Sequence, residues 1–588
     1  MTVIASGKFM VRVPRPTFSA LMAAPSASLH AAATTVTTRP LFAAAHAAGV
    51  TFSAHLAAVE QTDWLLHQPN PTDLHPWDIA HQIARGRYPG SAQLAAGPSV
   101  YVEPDVLSRR KVVVSPAVAV AAAAAATPAA GAPWPALAGL NAHYDPKPSA
   151  IFSPAWHLDV GFGNFAEAWT YNRGAGIRIA HLDTGYTPSH MSTPRGMLPN
   201  QGYNFSEDNT NTVDPYQQGA LYMPGHGTAT LALLAGNSID IQYMAGPIFN
   251  DDIGGAPDAS VVPVRIGPSV IHLYSSAVAQ GLDYALAPRE GGPCDVVSLS
   301  HGGLPSKAWA EAVNRLYDAG VVVVAASGDS FYFEVIDVAT HFTVYPSAFY
   351  RVVTATGSTF TKGPYITKDF GTMQGCWGPD KVMHKAIAAY TPNVPWMASQ
   401  NDPHGWDMNG GGTSASTPQI AAACALWLKQ YGGQFPLGWQ RVEACRHALF
   451  ESAANRGQNV SQIGIGLLDA GAMLRPATLA KVQQAFQNNQ LPHAPPDDVS
   501  FPFLRLLFGL PPPGAGVDEM YETEAAQIFF RSRNADLAAA VAASPDGDPA
   551  VAPMSAAARR ALQDAFIAEP SMSNTLKAYL QTKARQNP

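Results

Sequence analysis

Five short apolar runs punctuate the middle of the chain: IRIAHLD (177–183), SVVPVRI (260–266), DVVSLS (295–300), GVVVVAAS (320–327) and YRVVTATG (350–357). They are rich in Val and Ile and mostly continuous rather than alternating, the pattern of strands buried on both faces. Longer stretches with apolar residues at helical spacing separate most of them, among them IHLYSSAVAQGLDYALA (271–287) and KAWAEAVNRLYDAG (307–320). Strands that alternate with helices predict an α/β fold of three layers, a mostly parallel sheet between two sets of helices. In such sheets ligands bind beyond the carboxyl ends of the strands. Asp183 ends its run there, and Asp329 follows Ser327 by two residues.

The pattern changes on either side. Residues 1–115 mix short β-like runs (8–13 and 99–103) with helical ones such as HPWDIAHQIARG, which predicts a small α+β region. Residues 116–149 are dominated by Ala and Pro and read as a linker. The α/β region covers 150–475. Residues 476–588 are helical in pattern, broken by LPPPGAG and ASPDGDPAVAP. FPFLRLLFGL (501–510) is apolar but half the length of a membrane span, and is expected to pack on the α/β region.

Composition narrows the classes. Of 588 residues, 47% are hydrophobic and 13% charged, enough for a large core. The net charge is -7, and the absence of a basic block excludes a nucleic-acid partner. The longest apolar stretch, AVAVAAAAAA (117–126), is too short to span a bilayer. Lys8, Arg12 and Arg15 interrupt the first residues where a secretory leader would be apolar, so a cytoplasmic location or export by a non-standard route is expected. The four cysteines show no metal-ligand spacing, and Cys424 and Cys445 fall in apolar helical patterns as core residues.

Three segments carry chemistry. In AHLDTGY, Asp183 sits at a strand end on a tight turn, where it could be no more than a turn cap. In PGHGTATLALLAG, His226 stands between glycines at a helix start, a place that also suits a surface histidine. In GGTSASTPQIAAACAL, Ser414 opens an apolar helix, a common N-cap position but also the positive end of the helix dipole. Jointly they have one chemical reading. A serine hydroxyl needs a base to take its proton, and the base needs an anion to fix its tautomer. Asp, His and Ser occur here in one of the chain orders known for that unit.

With these blocks the 150–475 region resembles the subtilisin-like serine proteases, the subtilases. IAHLDTGY, HGTATLALLAG, VVSLSHGG and GGTSASTP carry the likeness, supported by GGAPDASVVPVRI (254–266) and GIGLLDAGAML (464–474). The resemblance implies a serine endopeptidase with a protein or peptide substrate. Asp183 would orient His226, His226 would act as general base and acid, and Ser414 would attack the scissile carbonyl. Ser300, His301, Gly302 and Gly303 would form the edge along which substrate pairs, although His301 stands where the family usually has an apolar residue. The family's oxyanion asparagine is replaced by Asp329 in AASGDS, which resembles the SGD segment of the acid-active sedolisins; those have a glutamate in place of His226. Two alternatives stay open: a catalytically silent subtilase fold that binds peptides or a regulatory partner, and an acid-shifted peptidase of sedolisin type.

The resemblance extends to the ends. SVYVEPDVLSRRK (99–111) resembles the end of a subtilase propeptide, which would make residues 1–115 an inhibitor of the enzyme; the other reading is a permanent accessory domain. SRRK (108–111) reads as a cleavage site or a solvated basic loop. No cofactor is expected beyond calcium, which the family often binds. NFSEDNTNTVD (204–214) gathers acids and amides but lacks EF-hand spacing, and reads equally as a polar loop.

Overall fold

The computed structural model describes residues 3, 5–23, 37–48, 62–89, 91–95, 100–107, 153–219, 222–242, 248–270, 274–331, 342–366, 373–397, 402–532, 534–542 and 555–586. The Ala/Pro linker at 116–149 and the SRRK segment lie outside the described residues.

The central sheet has seven strands, in the order Ala386–Tyr390, Val352–Ser358, Val322–Ala326, Val296–Leu299, Arg178–Asp183, Ser260–Arg265 and Tyr203–Asn204. Every neighbouring pair runs parallel. The five apolar runs supply its five middle strands, almost all of whose side chains are buried. Burial on both faces is why these runs show no alternation. One face carries helices Ser275–Tyr284 and Lys307–Asp318. The other carries His226–Ala235 and Thr413–Tyr431, the latter buried along most of its length. This is the expected three-layer α/β arrangement, and it sets the ends of Arg178–Asp183, His226–Ala235 and Thr413–Tyr431 near one another.

The N-terminal region is a four-stranded antiparallel sheet, in the order Thr37–Pro40, Thr62–Gln68, Ala5–Pro14 and Tyr101–Val106, with helices that include Pro76–Ala84. The last of these strands is buried throughout, because it packs against helices of the α/β region and of the C-terminal region. Residues beyond 475 form helices Pro476–Gln487, Pro502–Phe508, Val517–Arg531, Ala535–Ala542, Ala556–Ile567 and Asn574–Gln586. In the FPFLRLLFGL run, Phe501 meets Phe529 and Phe508 meets Phe566 of the extension, and its buried residues share one apolar core with Leu316, Phe349 and Val352 of the α/β region. All four cysteines are buried. No helix among the described residues is long and apolar enough to cross a membrane.

Candidate active site

Asp183 is the last residue of its strand, and the turn after it is built to receive a helix. Gly185 adopts φ +103°, a conformation open to glycine. Gly227 packs so closely on that turn that a Cβ there would stand 1.9 Å from the Gly185 carbonyl oxygen. The Gly227 N–H donates to Thr184 Oγ1 at 3.0 Å. His226, the first residue of its helix, is thereby held against the strand end. Its Nδ1 lies 2.7 Å from Asp183 Oδ1.

The carboxylate is saturated. Oδ1 also accepts the Thr184 N–H at 2.7 Å, and Oδ2 accepts the Thr230 hydroxyl at 2.9 Å. Two further imidazoles face Oδ2, His181 Nε2 and His301 Nδ1, each at 3.8 Å. Burial works against the charge on Asp183, but the imidazoles of His226 and His301, the His226 hydrogen bond and His181 outweigh it and hold the carboxyl below the ordinary range. Burial pushes His301 and His181 down to about 4, so both rings are neutral at neutral pH. His181 and Thr230 lie inside the IAHLDTGY and HGTATLALLAG blocks without being singled out there; the signal for Thr230 is its place one turn after His226 on the same helix face.

Ser414 is the second residue of helix Thr413–Tyr431 and is 9% exposed. Pro418 lies four residues on and has no N–H to give to the Ser414 carbonyl. Ser300 fills that role: its hydroxyl donates to the Ser414 carbonyl at 2.9 Å, and the Ser414 hydroxyl donates to the Ser300 carbonyl at 3.2 Å. The reciprocal pair fixes the Ser414 turn of helix against the end of strand Val296–Leu299.

Asp329 begins the short strand Asp329–Phe331, paired with Met373–Gly375. Its Oδ1 accepts the Thr413 N–H at 2.9 Å and its Oδ2 the Thr413 hydroxyl at 3.2 Å, so it caps the serine helix from another segment. Burial raises its carboxyl to about 6, against the opposing pull of the Thr413 hydrogen bonds and of His226.

The expected substrate edge divides. Ser300 holds the serine helix. His301 is buried, and neither ring nitrogen has a hydrogen-bond partner among the described residues. Its ring meets that of His226 edge-on at 5.6 Å, and Trp396 approaches His226 from 5.5 Å. A Cβ on Gly302 would stand 2.1 Å from Val344, so this position takes no side chain. Gly303 exchanges both backbone hydrogen bonds with Tyr345, at 2.8 and 3.2 Å.

Among the described residues, one group has the spacing to hold a metal: donor atoms of Asp183, His226 and His301 lie within 4.8 Å of one another. The Asp183 oxygens there are already engaged by N–H and O–H donors. In the 204–214 loop the acids are also engaged. Glu207 pairs with Arg265, and Asp208 accepts from Tyr203 at 2.9 Å and from Arg39. Asp214, at the loop's end, instead accepts the Gly225 N–H at 2.7 Å and supports the turn before His226.

Comparison with known proteins places this geometry in context. Residues 174–466 match the model of the subtilase family. Thermitase of Thermoactinomyces vulgaris is 32% identical over 165 residues, covering 28% of this chain and 51% of thermitase. Subtilisin DY of Bacillus licheniformis is 25% identical over 305 residues, 51% of this chain and 91% of that protein. Subtilisin BL of Lederbergia lenta is 27% identical over 305 residues, with 51% and 92% covered.

Proposed function

We propose, from the premise that residues 174–466 are a subtilase domain, the fold of serine-type endopeptidases, that this chain cleaves peptide bonds in protein or peptide substrates through an acyl-enzyme on Ser414. The observation that carries the reading is the 2.7 Å hydrogen bond between Asp183 and His226 at the mouth of the serine helix. Asp183 fixes the tautomer with Nδ1 protonated, which leaves Nε2 to take the Ser414 proton. The hydroxyl turns from the Ser300 carbonyl to the imidazole as it attacks. The proton then passes from Nε2 to the leaving amine, and water repeats the cycle to release the acid. The Ser414 N–H, at the positive end of its helix, is one oxyanion donor. The second is Asp329 in its protonated form, the sedolisin-like feature of the site. An extended substrate pairs with the backbone of Ser300–Gly302, since Gly303 is already engaged by Tyr345. Residues 1–115 are a propeptide-like or accessory domain of this unit.

Labelling with a fluorophosphonate tests this. An activated serine is expected to label at Ser414 in the intact protein, with no label in Ser414→Ala and strongly reduced label in His226→Ala. Hydrolysis of an unstructured protein substrate should fall by about 10⁶-fold in either variant, and by no more in the double variant. Undiminished turnover in Ser414→Ala would end the reading.

A further inference from the structure

Three helix N-termini outside the N-terminal domain are capped by carboxylates that belong to it. Asp105 accepts the Ser276 N–H at 2.7 Å and the Ser276 hydroxyl at 2.8 Å, at the start of helix Ser275–Tyr284. Glu103 accepts the Lys307 N–H at 3.1 Å, at the start of Lys307–Asp318. Asp78 accepts the Asn574 and Thr575 N–H groups at 3.2 and 2.8 Å, and the Thr575 hydroxyl at 2.6 Å, at the start of Asn574–Gln586. The first two helices belong to the catalytic layer. The third belongs to the C-terminal extension, so the N-terminal domain is gripped from two sides.

Gln527, fully buried on helix Val517–Arg531, joins all three bodies. Its carbonyl accepts the Trp77 indole N–H at 3.3 Å, and its amide donates to Glu103 at 3.4 Å and to the Pro305 carbonyl at 3.0 Å. On the same helix Thr523 accepts the Tyr101 hydroxyl at 3.1 Å, and Glu519 pairs with Arg12. One continuous apolar core runs from Trp77 and Ile83 through Leu282 and Trp309 to Ile528 and Leu576. Burying polar groups as deeply as Glu103 and Gln527 is favourable only while their partners stay in place. Removal of the N-terminal domain would strand donors on three helices and open a core shared by three regions.

We infer that the C-terminal extension is the receptor for residues 1–107 and keeps them docked as a permanent non-covalent subunit even when the chain is cut between 108 and 152. If the endopeptidase reading holds, activation therefore cannot proceed by loss of this domain. The retention itself does not depend on activity.

The test uses the full chain with Ser414→Ala, carrying a recognition sequence for a site-specific endopeptidase inserted after Ala130. After complete cutting, the two fragments are expected to sediment as one particle of full mass at micromolar and at nanomolar concentration in 0.15 M salt. Asp78→Ala with Gln527→Ala removes buried hydrogen bonds to the extension only from its two ends, and should weaken retention by at least about 30-fold. Hydrogen exchange on the cut parent protein gives a second readout that needs no substitution: the amides of Ser276, Lys307 and Thr575 should stay as protected as in the uncut chain. Release of the N-terminal fragment from the cut parent at micromolar concentration would overturn the inference. So would a folded double variant that holds the fragment as tightly as the parent, since the extension would then not be what holds it. Both readouts are of mass and protection in an inactive protein, so failure of the protease reading leaves them unaffected.

Discussion

At the level of single residues, the position of Ser414 depends on a proline. Pro418 deprives the Ser414 carbonyl of its helical donor, and the Ser300 hydroxyl replaces it. Ser300→Ala would leave that buried carbonyl unsatisfied, at about 1–3 kcal/mol. We expect kcat to fall by about 10–100-fold with little change in KM, measured on a peptide substrate; an unchanged kcat would mean that the pair does not position the nucleophile. Asp329 poses the opposite question, because an ionised carboxylate cannot donate to an oxyanion. With its carboxyl raised to about 6, it is protonated below that pH and charged above it. If Asp329 donates to the oxyanion as proposed, activity falls on the alkaline side as it loses its proton. Asparagine would keep an oxygen for the Thr413 N–H and present an amide donor at every pH. Asp329→Asn should therefore raise kcat at pH 8 by at least about tenfold, given that one oxyanion donor is worth about 10²–10³ in rate. A pH–rate profile identical to the parent's would assign the oxyanion to other groups.

At the level of elements, the Asp–His pair is made by the meeting of a strand end with a helix start, and glycine is what permits the meeting. Gly227 cannot acquire a Cβ without displacing the Gly185 carbonyl. Gly227→Ala should push helix His226–Ala235 away from the turn and destabilise the fold by at least about 1–3 kcal/mol, the usual cost of overpacking. The denaturation midpoint should drop, and kcat should fall further than stability alone explains, because the 2.7 Å contact between Asp183 and His226 opens. These glycines were visible in DTG and HGT as punctuation. That each occupies space the other element needs could be seen only once both were placed. The same holds for Asp214, a loop acid in the sequence and a support for the histidine turn in three dimensions.

For the molecule as a whole, the junction of its three regions holds carboxyls in unusual states. Burial raises Glu103 to about 7 and Glu524 to about 8, against the ordinary value of 4.5, although hydrogen bonds from Ser306 and Tyr101 to the first, and from Ser573 to the second, oppose the shift. The neighbouring groups are Lys307, Glu519 and Tyr101 around Glu103, and Asp78, Arg531 and His81 around Glu524. Acids with raised folded-state values bind more protons folded than unfolded between pH 4.5 and 8. Their contribution is thus fully present below pH 4.5 and is lost as pH rises through 7 and 8. Urea midpoints should fall between pH 7 and pH 8, above the range in which the lowered histidines, such as His181 and His301, bind protons on unfolding, and Glu524→Gln should flatten that fall. A Glu524→Gln protein with the parent's pH slope would remove Glu524 as its source.

The sequence by itself determined the sheet and where its candidate site residues lie. Runs of Val and Ile without alternation can only be strands covered on both faces, and they appear as the middle five of a seven-stranded parallel sheet. Asp183, His226 and Ser414 were recognisable because each sits in a local motif whose glycines and helix start are set by near neighbours. What lay beyond its reach depends on residues far apart in the chain. His301 was expected along a substrate edge, yet its ring turns in toward Asp183 across 118 positions of sequence. Asp329 looked like a lone oxyanion substitution and is also the cap of the serine helix. The union of both ends of the chain over the catalytic layer, with Asp78 and Asn574 bonded across 496 positions, leaves no local signature. Periodicity records which face of an element is buried. The identity of what covers it is decided by tertiary packing, where a buried carboxylate takes whichever helix end can satisfy it.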